Sequence, residues 1–398
     1  MKAVNLFRGQ LEVVDLPTPR PAAGQLLVKV ERCGICGSDL HCRLHADELA
    51  RSLELCGYPR YLRSDQNVVL GHEIFGRVVE HGPWNAARIR PGTPVVSIPL
   101  VRRGRQVDGV GLSAHAPGGY AEYVLVQEAL TLPVPNGLPA DRAALTEPMA
   151  VAWHAVSRGE VTRKDVAIVL GCGPVGLAVI SVLKARGVAT VVAGDYSAGR
   201  RSLAVRCGAD IAVDPAVDSP WARAGAGHGF MTTMPDQYNA GIDAIESLTR
   251  LPLPWWTAWR ALDKAGATRF RRPVVFECVG TPGMLDGILA AAPMHARVVV
   301  VGVCMGSDTI RPSLAVNKEL DLRFAVGYTP LEFRDTLHAL ADGTLDTADH
   351  LVTGRVGLAG VPAAFTALDR PEAHAKILID PALATERIHT PHDGPARS

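Results

Sequence analysis

Two cysteines, a serine, an aspartate and a histidine crowd into nine residues at "CGICGSDLH", Cys33 to His41, and a second histidine and a glutamate follow in "GHE", Gly71 to Glu73. Neighbours on a regular strand point to opposite faces, so His72 and Glu73 reach one point only where the backbone bends, and Gly71 permits that bend. Standing alone, such a histidine is ordinarily a hydrogen-bonded structural residue. Together the two stretches offer a soft thiolate, an imidazole and a carboxylate, a mixed set that suits zinc with one position left for water or substrate. Zinc held in that way acts as a Lewis acid on an oxygen at the open position. A closed structural site more typically draws on cysteine and histidine alone. Cys33 and Cys36 as half of a zinc knuckle would need a second pair, and Cys42 and Cys56 do not have that spacing.

The other pattern with chemical meaning is "VLGCGPVGLAVI", in which Gly171, Gly173 and Gly176 form GxGxxG between an apparent strand and an apparent helix. Gly171 permits the tight turn, Gly173 lets backbone approach a pyrophosphate, and Gly176 lets helix and strand pack closely, with the helix start holding the anion. The next strand runs into Asp195, 19 residues after Gly176. A carboxylate there bonds the adenosine ribose hydroxyls and repels a 2′-phosphate, which favours NAD over NADP. A strand-end turn is the plainer role for Asp195. Arg200 and Arg201 just beyond it suit either a solvated helix face or a phosphate contact.

Different elements must position the two patterns. From "LEVVDLP" through "GGYAEYVLV", short Val-rich runs alternate with Gly and Pro, which predicts a compact β-domain over the first 150 or so residues. Beginning near Asp165, strand and helix patterns alternate, the signature of a parallel sheet. "PVVFECVG" and "ARVVVVGVC" supply later strands, a mixed segment ends in "HAKILID", and the tail "TERIHTPHDGPARS" reads as disordered.

Composition narrows the function classes. At 398 residues and 47% apolar the chain supports two cores, and 41 Lys+Arg against 40 Asp+Glu leave a net charge of +1 with no basic face for nucleic acid. The N-terminus has no apolar signal core, and no apolar run approaches the roughly 20 residues that cross a bilayer, so no membrane role and a cytoplasmic location are expected. The eight unevenly spaced cysteines suggest thiols or metal ligands rather than a disulfide framework.

In order and context, "CGICGSDLH", "GHE", "GGYAEYVLV", "TEPMAVAWHAV" and "GCGPVG" resemble the zinc-containing medium-chain dehydrogenase/reductase family, and are most similar to its sorbitol, threonine and butanediol dehydrogenase branch. The resemblance extends to about Pro381. It implies an α/β and β fold: a GroES-like β-barrel catalytic domain over 1–155, a Rossmann doubly wound parallel-sheet NAD domain over 156–310, a segment 311–385 completing the catalytic domain, and a disordered tail 386–398. By the same resemblance Cys36 and His72 look like zinc ligands, Glu73 a ligand or exchangeable near-ligand, and Glu147 of "TEPMA" a fourth ligand or the holder of the water beside it. Cys33 matches a non-ligand position. Ser38 and His41 match a family relay that passes the substrate proton to solvent. The glycine turn with its Pro174 and Val175, Arg200 at the ribose, and Val279, Gly302 and Val303 as cofactor walls complete the implied site. Homodimers or homotetramers are implied too.

The chain also departs from the family. Where many relatives carry a four-cysteine zinc lobe, it reads "VRRGRQVDGVGLSAHAPGG", without cysteine, so one catalytic zinc and no structural zinc are expected. "RLHADELARSLELCGYPRYLRSDQN" is long, with a partial helical stripe at Leu49 and Leu53 that Leu55 leaves, and suggests a cap beside the substrate entrance. A second long segment, about 214–272, holds Trp221, Trp255, Trp256 and Trp259, of which at least half are expected to pack within the chain.

The expected activity is hydride transfer between a secondary alcohol, with a diol, polyol or hydroxy-acid character, and NAD, giving a ketone. Oxidation of primary alcohols by the same zinc is one alternative, and a non-catalytic nucleotide-binding protein is another. Asp39 is expected to be a structural hydrogen-bonding residue.

Overall fold

The computed structural model describes residues 1–390 apart from 86, 269 and 371. Two sheets organise it. In the first, the strands Thr131–Pro133, Pro94–Ser97, Glu73–His81, Gln25–Gly34, Lys376–Ile379 and Val352–Val356 lie side by side, and Tyr123–Gln127 also pairs with Gln25–Gly34. The long strand Gln25–Gly34 buries Leu26, Leu27, Val28 and Val30, with Lys29 exposed between them. A smaller sheet of Gln10–Asp15, Lys2–Phe7 and Val68–Val69 shares the same core.

The second sheet is wholly parallel. Its order is Ile211–Val213, Thr190–Gly194, Val166–Leu170, Val274–Glu277, Arg297–Val300, Asp321–Phe324, so the first strand in sequence lies in the middle and the chain winds outward both ways. That reversal opens a crevice at the carboxyl ends of the central strands, where doubly wound sheets bind ligands. The sixth strand corrects the expected boundary at 310. Asp321–Phe324 pairs in parallel with Arg297–Val300, so the stretch up to Phe324 completes the parallel sheet before the chain returns to the first one. Only four residues long and ending in exposed Phe324, it carries too little alternation to be told from a loop by pattern.

Residues 386–390 are not the free tail expected of them. Arg355 and His389 exchange both backbone hydrogen bonds at 2.8 Å, and Ile388 packs against the first core. Residues 391–398 of that expected tail lie outside the described residues.

The two unusual segments behave differently. Gly37–Leu55 is helical on both sides of a kink at His45, rather than a partial signal. It buries Cys42, Ala46 and Ala50 in the first core, with Leu49 and Leu53 packed at the edge and Leu55 in solvent, so small residues carry the buried stripe that a search for leucines undercounts. That buried face makes it an integral wall of the β-rich half. In the other segment Trp221 packs on the parallel-sheet core, and Trp255 and Trp259 are half-buried. Trp256 stands 52% exposed on the helix Trp255–Lys264, which buries no residue fully.

The lobe without cysteines is pinned by charge. Arg60 donates two hydrogen bonds to the fully buried Asp108, at 2.7 and 2.9 Å, while Ser113 donates a third at 3.1 Å and the Tyr58 hydroxyl accepts the Gly109 N–H at 3.0 Å.

Candidate active site

The backbone bend anticipated at Gly71 is present, with φ of +98°. A Cβ there would run into the Tyr120 ring and lie 2.8 Å from Cys33 Sγ, so glycine answers both the dihedral and the crowding. The bend releases His72 from the alternation of the strand Glu73–His81. Cys36 stands at the start of the helix Gly37–Leu55, and its ligand atom, one from His72 and one from Glu73 lie within 4.8 Å of one another. No other group of three or more potential ligands is found among the described residues.

The imidazole is oriented from behind. Asp39 Oδ1 lies 3.4 Å from His72 Nδ1, and Asp39 Oδ2 accepts hydrogen bonds from the Cys36 N–H at 2.9 Å and the Tyr120 hydroxyl at 2.7 Å. Nε2 is thereby left on the side of Ser38, whose Oγ lies 3.2 Å away. Burial works to raise the Asp39 carboxyl, but the His72 imidazole with the two donors outweighs it and holds the group below its usual range. Burial likewise opposes a charged His72, and the Asp39 carboxylate overcomes it, lifting the imidazole well above its ordinary value. Asp39 is thus a hydrogen-bonding group that positions the His72 ring.

Glu73 has a partner that the sequence reading did not find. Lys376 Nζ lies 2.6 and 2.8 Å from the two carboxylate oxygens and 3.0 Å from the Ile35 carbonyl, with both side chains out of solvent. The clamp is so close that a Cβ on Gly34 would strike the Glu73 carboxylate. One signal was available: a lysine inside the apolar run "AKILI", since lysine is almost never fully buried unless paired.

Glu147 begins the helix Thr146–Gly159 and faces Tyr328, another residue the sequence reading missed. Burial pushes its carboxyl from an ordinary 4.5 up to about 7, while the neighbouring charges of His72, Glu73 and Lys376 partly offset one another. Between pH 4.5 and 7 the unfolded chain releases this proton and the fold retains it, so the stabilising contribution is complete below 4.5 and lost as pH rises through 7. At roughly 1.4 kcal/mol per pKa unit the loss is about 3 kcal/mol. Urea unfolding of chelator-treated protein at pH 5 and pH 8 is expected to show wild type losing about that much more stability than Glu147→Gln. Equal losses in both proteins would refute the burial argument.

Ser38 and His41 lie three apart on the first turns of their helix and share a face. His41 is half-buried, and burial, then His45, holds its imidazole below the ordinary value.

On the parallel sheet, the turn from Val166–Leu170 into the helix Pro174–Ala185 follows the glycine reading. Gly171 has φ of +90°, a Cβ on Gly176 would collide with the Gly171 carbonyl, and the space beside Gly173 is open. Pro174 and Val175 form the first residues of that helix. Asp195 accepts the Cys172 N–H at 2.7 Å and the Ser197 N–H at 2.8 Å, which fixes its carboxylate at the mouth of the crevice. Arg200 sits in the following helix start, its Nε buried without a hydrogen-bond partner among the described residues. Val279 reaches within 2.7 Å of the Cβ position of Gly171, and Gly302 and Val303 close against Gly280. Buried Glu277 holds that wall by accepting the N–H groups of Val279 and Gly280 at 2.7 and 2.8 Å, a role with no motif of its own.

Known proteins agree with this architecture. The family model for the alcohol dehydrogenase GroES-like domain matches residues 22–136, and that for the zinc-binding dehydrogenase matches 174–342. Over 331 residues the chain is 30% identical to sorbitol dehydrogenase of Macaca fascicularis, covering 80% of this chain and 79% of that one. It is 28% identical to (R,R)-butanediol dehydrogenase of Neisseria gonorrhoeae over 400 residues, 96% of this chain and 100% of the other. A zinc-binding dehydrogenase of Sinorhizobium meliloti solved with NADP superposes with a TM-score of 0.70 at 26% identity, covering 96% of this chain and 99% of its own. The chain belongs to the zinc-containing medium-chain dehydrogenase/reductase family. It is an oxidoreductase of the alcohol dehydrogenase type that uses a nicotinamide dinucleotide. Among the described residues no helix is long and apolar enough to cross a membrane.

Proposed function

We propose that the protein interconverts a secondary alcohol, of the vicinal diol or polyol kind, and its ketone, with NAD as the hydride acceptor. The observation that carries this reading is the Cys36, His72 and Glu73 set, its histidine and glutamate buried, beside Glu147, together with a glycine turn that suits a dinucleotide. The names of the butanediol and sorbitol dehydrogenases support the substrate class.

The donor set fits one zinc ion. Cys36 and His72 would hold it, Glu147 would complete the set directly or through water, and Glu73, already balanced by Lys376, suits an exchangeable position. When bound, zinc supplies Lewis-acid polarisation of the alcohol oxygen, and NAD supplies the acceptor. The chain's own residues do the rest. Asp39 fixes the His72 ring, Ser38 stands where it can take the hydroxyl proton of a substrate, and His41, kept neutral at physiological pH by burial, can pass it to water. One zinc, a homodimer or homotetramer, and a cytoplasmic location belong to the same reading, on the family resemblance.

Asp39→Asn is expected to weaken zinc binding by about 10- to 100-fold, as loss of a carboxylate behind a ligating histidine commonly does. Competition with a chelator measures it, and unchanged affinity would remove the positioning role.

The function itself is tested by NADH formation from zinc-loaded protein across secondary alcohols, vicinal diols, polyols and primary alcohols, with NADP in parallel. Selective turnover of diols or polyols is the expected result. Preference for primary alcohols would overturn the substrate class, and no turnover with zinc and NAD bound would overturn catalysis.

A further inference from the structure

The helix Ala198–Arg206 starts beside Asp195, and its first turn is already engaged by a residue from far along the chain. Glu372 Oε2 accepts the Gly199 N–H at 2.9 Å, the Ser197 hydroxyl also faces that carboxylate, and a Cβ on Gly199 would strike the Glu372 carbonyl. The neighbouring Arg200 N–H is taken by Ser197 Oγ at 3.1 Å, and Arg201 is committed to the Asp195 and Tyr196 carbonyls at 2.8 Å and to Asp214 at 3.1 Å. Of the groups that an anion at this helix start would use, the Gly199 and Arg200 N–H donors and the Arg201 Nη1 are therefore occupied, and Arg200 Nε is buried without a hydrogen-bond partner among the described residues.

We propose that Glu372 is a specificity-determining residue: its carboxylate fills the anion-holding start of this helix and so, together with Asp195, excludes coenzymes that carry a 2′-phosphate. The inference rests on the reading of this crevice as the dinucleotide site and deepens its preference for NAD. A ribose hydroxyl can donate to a carboxylate, whereas a phosphate brings roughly −1.5 to −2 of charge and no donor to match. The phosphate would meet two carboxylates and compete with one of them for the Gly199 N–H. Arg200 pulls the other way, so removing the Glu372 charge shifts the balance toward it. Rejection by a placed like charge is how specificity between close analogues is commonly built. Because the Glu372 side chain is exposed, neutralising it leaves the cores untouched.

The test uses zinc-loaded protein, wild type, Glu372→Gln and Glu372→Lys, titrated with NADH and with NADPH by coenzyme fluorescence. The ratio of the NADPH to the NADH dissociation constant is expected to fall at least tenfold in Glu372→Gln and further in Glu372→Lys. A ratio that does not move, or parallel weakening of both coenzymes, would overturn the role of Glu372. Wild-type protein that binds NADPH more tightly would instead overturn the NAD reading itself, so the two failures are distinguishable.

Discussion

Lys376→Met is expected to destabilise the metal-free protein by about 3–5 kcal/mol, the usual cost of stranding one charge of a buried pair. Lys376 and Glu73 are both fully buried, and the ammonium is bonded to both carboxylate oxygens. Burial alone would make the lysine easier to deprotonate, but the charges of Glu73 and then Cys36 keep it protonated with its pKa raised. Removing it strips the buried Glu73 carboxylate of the donor bonded to both of its oxygens. The same change frees the Ile35 carbonyl, one residue before Cys36, and slackens the start of the ligand-bearing loop. A double-mutant cycle with Glu73→Gln separates these effects. Most of the stability is expected to return in the double variant, because the stranded charge is gone. A loss below about 1 kcal/mol in Lys376→Met would mean that the pair contributes no more than an exposed one.

Cys36→Ala is expected to abolish zinc binding and to reduce turnover below detection while leaving NAD affinity within about threefold of wild type. The separation follows from architecture: the ligand set hangs from the first sheet and the glycine turn from the second. Metal content by atomic absorption, turnover on whichever diol or polyol is active, and NADH fluorescence titration give the three readouts. Turnover by the metal-free variant would remove the zinc mechanism. Loss of NAD binding alongside zinc would show that the two halves are not independent.

The local parts of the site were legible because they obey short-range rules. Gly71 bends before His72, and Gly171 and Gly176 are glycines for the dihedral and packing reasons that their spacing suggested. What escaped was long-range. Lys376 meets Glu73 across 303 residues, and the contact of Tyr328 with Glu147 depends on how helices and loops settle on finished sheets. Short elements escaped too: Asp321–Phe324 has four residues, of which the pattern alone makes a loop as readily as a strand. The helix Gly37–Leu55 was half-read because its buried stripe is made of Cys42, Ala46 and Ala50, residues too small to mark a hydrophobic face.

The strand Lys376–Ile379 also sets an order of events during synthesis. Strand Gln25–Gly34 emerges early, yet on one edge its partners at Cys33 and Gly34 are Ile379 and Leu378, which emerge more than 340 residues later. The parallel sheet is complete once Phe324 is out, about fifty residues sooner. At roughly 5–20 residues per second, the N-terminal half waits several seconds with one edge of that strand end open, its other edge being paired with Glu73 and Ile74, and with Glu73 lacking its counter-charge, while the parallel sheet that follows it in sequence is already complete. Nascent chains arrested shortly after Phe324 would therefore carry a protease-resistant second half joined to a sensitive first half, an inversion of the usual N-terminal-first order.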